Sequence, residues 1–251
     1  MTVTFFGCKD VDEEEVINPN YNVTFNFTQN WDGEEITDPD YQTTVYTNEN
    51  GEELTISRLR YLISDVAFTN EDGDTTLIKG YNLVNARKGI NLQYKPSKKI
   101  QEGTYNLSFT FGFDNKDNVS SAYPDLNTEG WNVPEDLGGG YHFMQMEGTF
   151  TNNTSSTPAP YLYHTIRAAD NTGDDLLLQD TSFEVNLGTV TVEKNSSFEI
   201  KMNVAEWYKN PNKWDLNILN SNLMMNFDAQ IMMSENGKTV FSLEEETTVE
   251  E

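Results

Sequence analysis

The sequence has little with which to build a conventional catalytic or electron-transfer centre. One cysteine in 251 residues excludes an intramolecular disulfide and any cysteine-rich zinc or iron–sulfur site. Only two histidines are present, His142 and His164, so an imidazole-based centre has very few addresses. Bases are scarce too, 16 Lys and Arg against 41 Asp and Glu, for a formal net charge of −25. That field repels phosphate backbones and anionic lipid, which excludes nucleic acid as a partner and electrostatic docking to membranes. No run of about 18 apolar residues offers a transmembrane helix.

Alternation at period two is what the chain has instead. Val23-Thr-Phe-Asn-Phe27, Tyr105-Asn-Leu-Ser-Phe-Thr-Phe111, Phe183-Glu-Val-Asn-Leu187 and Phe198-Glu-Ile-Lys-Met202 each alternate apolar with polar. Asn50-Gly51, Asp72-Gly73, Glu102-Gly103 and Asn236-Gly237 punctuate them as turns. Short strands at this spacing predict an all-β, single-domain, two-sheet antiparallel β-sandwich with one or two short helical turns. The expected domain covers residues 21–243, between an N-terminal segment and acidic linker (1–20) and a disordered acidic tail (244–251). Leu54 to Ser64 fits either a helical turn or a strand. Met225, Phe227, Ala229, Ile231 and Met233 are expected on one face of a late strand.

Cys8 follows Met1-Thr-Val-Thr-Phe-Phe-Gly7 and precedes the acidic run Lys9-Asp10-Val11-Asp12-Glu13-Glu14-Glu15. A small residue before a Cys, after a short apolar stretch, resembles the end of a bacterial lipoprotein signal, here without the basic start. On that resemblance Cys8 is the lipidated first residue, and the acids beyond it resemble the surface-export signals of Bacteroidetes lipoproteins. The expected location is then the outer membrane or cell surface, with the membrane touched only through the anchor. The plainer reading is a free thiol in a frayed terminus.

Catalytic motifs are lacking. Neither histidine sits in a recognisable nucleophile motif, and Gly138-Gly-Gly140 lacks the lysine and helix of a phosphate loop. No enzyme is expected. Asp114-Asn-Lys-Asp117-Asn118 and Asp170-Asn-Thr-Gly-Asp174-Asp175 cluster oxygen ligands without EF-hand spacing, and read as Asx-rich turns. His142, Met144 and Met146 would share one face of a strand, and an imidazole with two thioethers suits Cu(I). Equally, the methionines could fill the core while His142 hydrogen-bonds locally. His164 falls on the next expected strand, so the two histidines meet if those strands pair in the right register.

The order of motifs resembles the MbnP-like family of copper-binding proteins over residues 21–243. Asn50-Gly51 with Leu54-Thr-Ile-Ser-Arg-Leu-Arg-Tyr-Leu-Ile-Ser-Asp-Val66 is similar to its early block, and Phe111-Gly-Phe-Asp114 to the end of its central strand. Gly140-Tyr-His-Phe-Met-Gln-Met-Glu-Gly148 and Tyr163-His164 resemble two later blocks. The resemblance implies a β-sandwich, export beyond the cytoplasm and non-catalytic copper binding; combined with the same-face soft side chains, it leads to the expectation of Cu(I) on His142, with His164, Met144 and Met146 as further candidate ligands. In the family, copper is held by histidine and a kynurenine made from a Trp-x-Trp segment, an oxidation that a dihaem partner enzyme can perform. This chain departs there: Asp136-Leu-Gly-Gly precedes Tyr141, and Trp131 in Gly130-Trp-Asn-Val133 has Val133 where a second tryptophan would stand. The departure counts against the kynurenine-type site and the dihaem partner, and leaves Trp131 as a modified ligand or an aromatic lid. The alternative function is a cell-surface glycan- or protein-binding module without the metal, its surplus Tyr and Trp stacking on sugars.

Overall fold

The computed structural model describes residues 18–153 and 155–244. Cys8 and the tail beyond Glu244 lie outside the described residues. Strand β1 (Val23–Trp31) alternates buried and half-buried positions along its whole length, as its sequence predicts. Then come β2 (Glu53–Thr69), β3 (Thr75–Asn85), β4 (Gly103–Phe111) and the short helix α1 (Pro124–Thr128). They are followed by β5 (Met144–Thr151), β6 (Pro158–Thr165), β7 (Phe183–Val192), β8 (Ser196–Asn203), helix α2 (Phe227–Gly237) and β9 (Phe241–Glu244).

Two sheets result. The larger runs β6-β5-β2-β4-β7, with β3 along the other edge of β2, and the smaller runs β9-β8-β1. All pairings are antiparallel except β8 with β1, which run parallel. Between the sheets lies an aromatic-rich core that includes Phe25, Phe27, Tyr61, Phe68, Phe109 and Phe198. This is the β-sandwich that the alternation predicts.

The ambiguous segment from Leu54 is part of β2, with no helical turn. Its pattern misleads because two residues, Ser57 and Asp65, are bulged out of register with the neighbouring strands. Each bulge shifts the buried set by one residue, which turns a period of two into something resembling a helix. Opposite the first bulge sits Gly148, where a Cβ would lie 1.9 Å from the Thr55 carbonyl oxygen, so only glycine fits there.

Residues 227–237 are a helix, not the expected strand. The Asn226 side chain caps it by accepting from the Ala229 N–H at 3.0 Å, and Asp228 stands in its first turn. Ala229, Gln230, Met233, Asn236 and Gly237 are its buried residues, a helical spacing. The alternate-residue pattern in Met225 to Met233 hid a good N-cap.

A third layer positions the site. The excursion from Gly112 to Phe143, which carries α1, folds over the outer face of the larger sheet. There Leu62, Phe113, Leu126, Trp131 and Tyr141 form a second apolar cluster, distinct from the sandwich core.

Candidate metal site on the outer sheet face

Three strands place three polar side chains in one row. Arg60 on β2, Gln145 on β5 and His164 on β6 are directly opposite one another in register. Side chains on one face of a sheet alternate with those on the other, so this row points outward while Leu59, Met144, Met146 and Tyr163 point into the core. One step along, Glu147 joins the outer face and accepts from His164 Nε2 at 2.9 Å and from Arg58 at 2.6 Å.

His142 reaches the same face by a different route. Phe143 and Met144 are both buried in the core, so the chain bends at Phe143 and period two fails there. The bend turns His142 to the outer side, against the excursion. Residues 131–133 run beside 140–142: the Val133 N–H donates to the Gly140 carbonyl, and the His142 N–H to the Trp131 carbonyl, both at 2.9 Å. The two imidazoles thus meet at a centroid separation of 5.4 Å with ring planes at 82°. The fully buried Trp131 ring forms the next wall, its centroid 5.7 Å from that of His142. Over its face lies the Arg60 guanidinium at 4.8 Å, itself bonded to Gln145 Oε1 at 2.5 Å.

Hydrogen bonds select which nitrogen carries the hydrogen in each neutral ring. His142 Nδ1 lies 2.9 Å from the Trp131 carbonyl oxygen, which only accepts, so Nδ1 carries the hydrogen and Nε2 keeps its lone pair. His164 Nε2 faces the Glu147 carboxylate, so in the neutral ring it carries the hydrogen and Nδ1 is the lone-pair nitrogen. Burial pushes the His142 imidazole down to about 4, against the opposing pull of the Trp131 carbonyl, so this ring is neutral near pH 7. The Glu147 carboxyl is held below its usual range by the His164 hydrogen bond and by Arg58, although burial opposes them. A ring with one nitrogen tied to an oxygen and the other free is the form in which histidine ligates metals. The donor set therefore fits a metal that accepts nitrogen ligands in low number, which Cu(I) does.

The sequence expectations divide. Pairing of β5 with β6 brings His142 and His164 together, and Trp131 beside them. It does not bring Met144 or Met146: both are in the sandwich core on the opposite face, and Met146 Sδ takes a hydrogen bond from Tyr208 at 3.7 Å. The expected His-Met-Met face fails because of the bend at Phe143. Among the described residues no group of three or more His, Cys, Asp and Glu is arranged to hold a metal ion. Glu147, Gln145 and Arg60 escaped notice in the sequence, although simple alternation from Met144 and Met146 puts the first two on the site's face.

A family model described as MbnP matches residues 20–228. The chain belongs to the MbnP family. A solved structure, MbnP from Methylosinus trichosporium, superposes with a TM-score of 0.57 at 14% identity, covering 90% of this chain and 98% of that one. At that identity the likeness shows a shared fold. No curated protein sequence matches the chain. MbnP membership agrees with the motif order, and the paired segments at 131–133 and 140–142 lie inside the matched range.

Proposed function

We propose that this MbnP-family chain is a non-catalytic copper-binding protein that takes up one Cu(I) ion between His142 and His164. One observation carries the reading: two imidazoles 5.4 Å apart, each with one nitrogen bonded to an oxygen and the other free. His142 and His164 would supply the two nitrogen ligands. Glu147 orients His164, the Trp131 carbonyl orients His142, and the Trp131 ring excludes water from one side. Held this way, copper is stored or carried and not turned over. Trp131 acts here as an unmodified wall; intact-mass measurement of protein from its native host would reveal an oxidised tryptophan and, with it, a maturation partner. We also place the protein outside the cytoplasm, anchored through Cys8. Metabolic labelling with a fatty acid, lost in Cys8→Ser, tests that.

The test of copper binding is a competition titration with a chromophoric Cu(I) chelator under reducing, anaerobic conditions, on Cys8→Ser protein so that the thiol does not compete. One-to-one binding is expected, weakened about 100-fold or more in His142→Ala. Equal affinity in that variant would overturn the assignment. Of the aromatics behind the glycan-binding reading, Trp31, Trp131, Trp207 and Trp214 are all buried and present no stacking surface.

A further inference from the structure

Arg60 is a charged side chain held where an apolar one would serve the packing better. It stands on β2 in the row that leads through Gln145 to His164, with its guanidinium over the Trp131 ring at 4.8 Å. Nη2 donates to Gln145 Oε1 at 2.5 Å, and Nη1 to a Glu129 carboxylate oxygen at 3.3 Å. Nε is buried and has no hydrogen-bond partner. The Arg60 side chain is 12% exposed, whereas that of Glu129 is 54% exposed. Burying a cation with one N–H unsatisfied is costly, and a long apolar side chain would cover Trp131 without that cost. Packing on Trp131 therefore does not account for the charge.

The charged side chains bonded into this face are Arg58, Arg60, Glu129 and Glu147, and they do not cancel. Arg58 and Glu147 neutralise each other at 2.6 Å. In the other pair, water screens the exposed Glu129 more strongly than the desolvated Arg60, so the field left on the inner side is positive. The same imbalance acts on His142: burial dominates its lowered pKa, and beyond that Arg60 disfavours the protonated ring more than Glu147 favours it. Imidazoles ligate metals as neutral groups. Among the described residues no group of three or more His, Cys, Asp and Glu stands ready to add a negative ligand. The full charge of a bound ion is then left in that field, one unit for Cu(I) and two for Zn(II) or Cu(II). Coulombic repulsion grows in proportion to that charge.

We propose that Arg60 selects the charge of the bound ion: its guanidinium, held over Trp131 beside the imidazole pair, admits Cu(I) and disfavours Zn(II) and Cu(II). The inference rests on the copper site proposed above and adds to it the residue that sets its specificity. Ligand number works in the same direction, because Zn(II) takes four ligands and Cu(II) a tetragonal set. That contribution does not depend on Arg60, so the two can be separated.

The experiment measures two ions on the full chain carrying Cys8→Ser, each by competition with a chromophoric chelator: Cu(I) under reducing, anaerobic conditions, and Zn(II) without reductant. His142→Ala supplies the background that the acidic surface binds. Arg60→Gln is expected to tighten Cu(I) about threefold and Zn(II) about tenfold, since doubling the charge squares the factor. The preference for Cu(I) falls by about threefold, and the reduction potential of bound copper by about 30 mV, the same factor at about 59 mV per decade. Arg60→Lys keeps the charge and with it the preference, which hydrogen bonding by the guanidinium fork would not. Glu129→Gln removes the opposing acid at an exposed position and raises the preference, so it carries the test if Arg60→Gln does not fold. Equal factors for the two ions in Arg60→Gln would overturn the proposal and leave the guanidinium as a support for Trp131, with the copper site standing. Zn(II) at background in both proteins would overturn it too, by assigning the selectivity to ligand number. Absence of Cu(I) binding by the Cys8→Ser chain would overturn the copper site and this inference together.

Discussion

The imidazole pair and the Glu52–Asp215 pair handle the same problem, polar groups withdrawn from water, in opposite ways. At His142 and His164 each ring gives its one hydrogen to an oxygen and is left with a free lone pair. His142 is neutral, so its burial costs little and a metal is an option for it, not a requirement. At Glu52 two amide groups donate to one carboxylate oxygen, and the Asn217 amide nitrogen among them also donates to Asp215. The contrast teaches that the nitrogen site keeps lone pairs free for a ligand, whereas the oxygen site spends its acceptors on amide donors of the same chain.

The largest way to break this contrast is to remove what holds the histidines in place. Trp131 is fully buried in the outer cluster and fills the space between His142 and Arg60. Trp131→Ala should cost about 3–5 kcal/mol of stability by the transfer and cavity costs of a large aromatic. Urea denaturation monitored by far-UV circular dichroism measures it. Copper binding should fall in the folded fraction as well. Unchanged copper affinity in the folded fraction would mean that the Trp131 ring does not hold the histidines in place.

The two sites were unequally legible from the amino-acid order. Period-two alternation reveals the sandwich because most strands bury one face, as Val23 to Trp31 shows. It fails at Ser57, Asp65 and Phe143, where an extra residue or a bend shifts the register. The failure at Phe143 reverses the face of His142 and removes Met144 and Met146 from the site. Pairing of β5 with β6 was foreseeable from the loop between them, but its register was not, and register is what puts Gln145 opposite His164. Glu52 and Asp215 gave no signal, because sequence does not show which of 41 acids is buried. Helix α2 could have been found from Asn226 and Asp228, whose types favour a helix start more strongly than the spaced apolar residues favour a strand.

A titration separates the pairs next. In metal-free protein the folded pKa of His142 is about 4, against 6.5 for the free side chain. A depressed pKa means that the unfolded chain binds the proton first as pH falls. The stabilisation is therefore complete above pH 6.5 and is lost progressively down to about pH 4, on the order of 3 kcal/mol in all. For Asp215 burial raises the pKa, but hydrogen bonds from Asn217 and the contact with Glu52 lower it further, so the net shift is downward from 3.8. Its contribution is present above that ordinary value and is lost only in stronger acid. Stability measured by urea between pH 4 and 7 should thus slope in the unaltered protein and flatten in His142→Gln. An unchanged slope in that variant would place the acid lability elsewhere.

Arg60 supplies the smallest and most discriminating effect. Its guanidinium lies on the Trp131 ring and bonds Gln145 and Glu129, so its removal should cost about 1 kcal/mol. It is also a positive charge beside a site meant for a cation, and like charges in a partly desolvated setting repel. Arg60→Gln should therefore lower stability slightly and yet tighten Cu(I) binding a few-fold in the chelator competition. The opposite sign is informative as well. If Arg60→Gln loosens copper, then the guanidinium's hold on Trp131, and through it on His142, outweighs its charge, and the wall matters more to the metal than the field does.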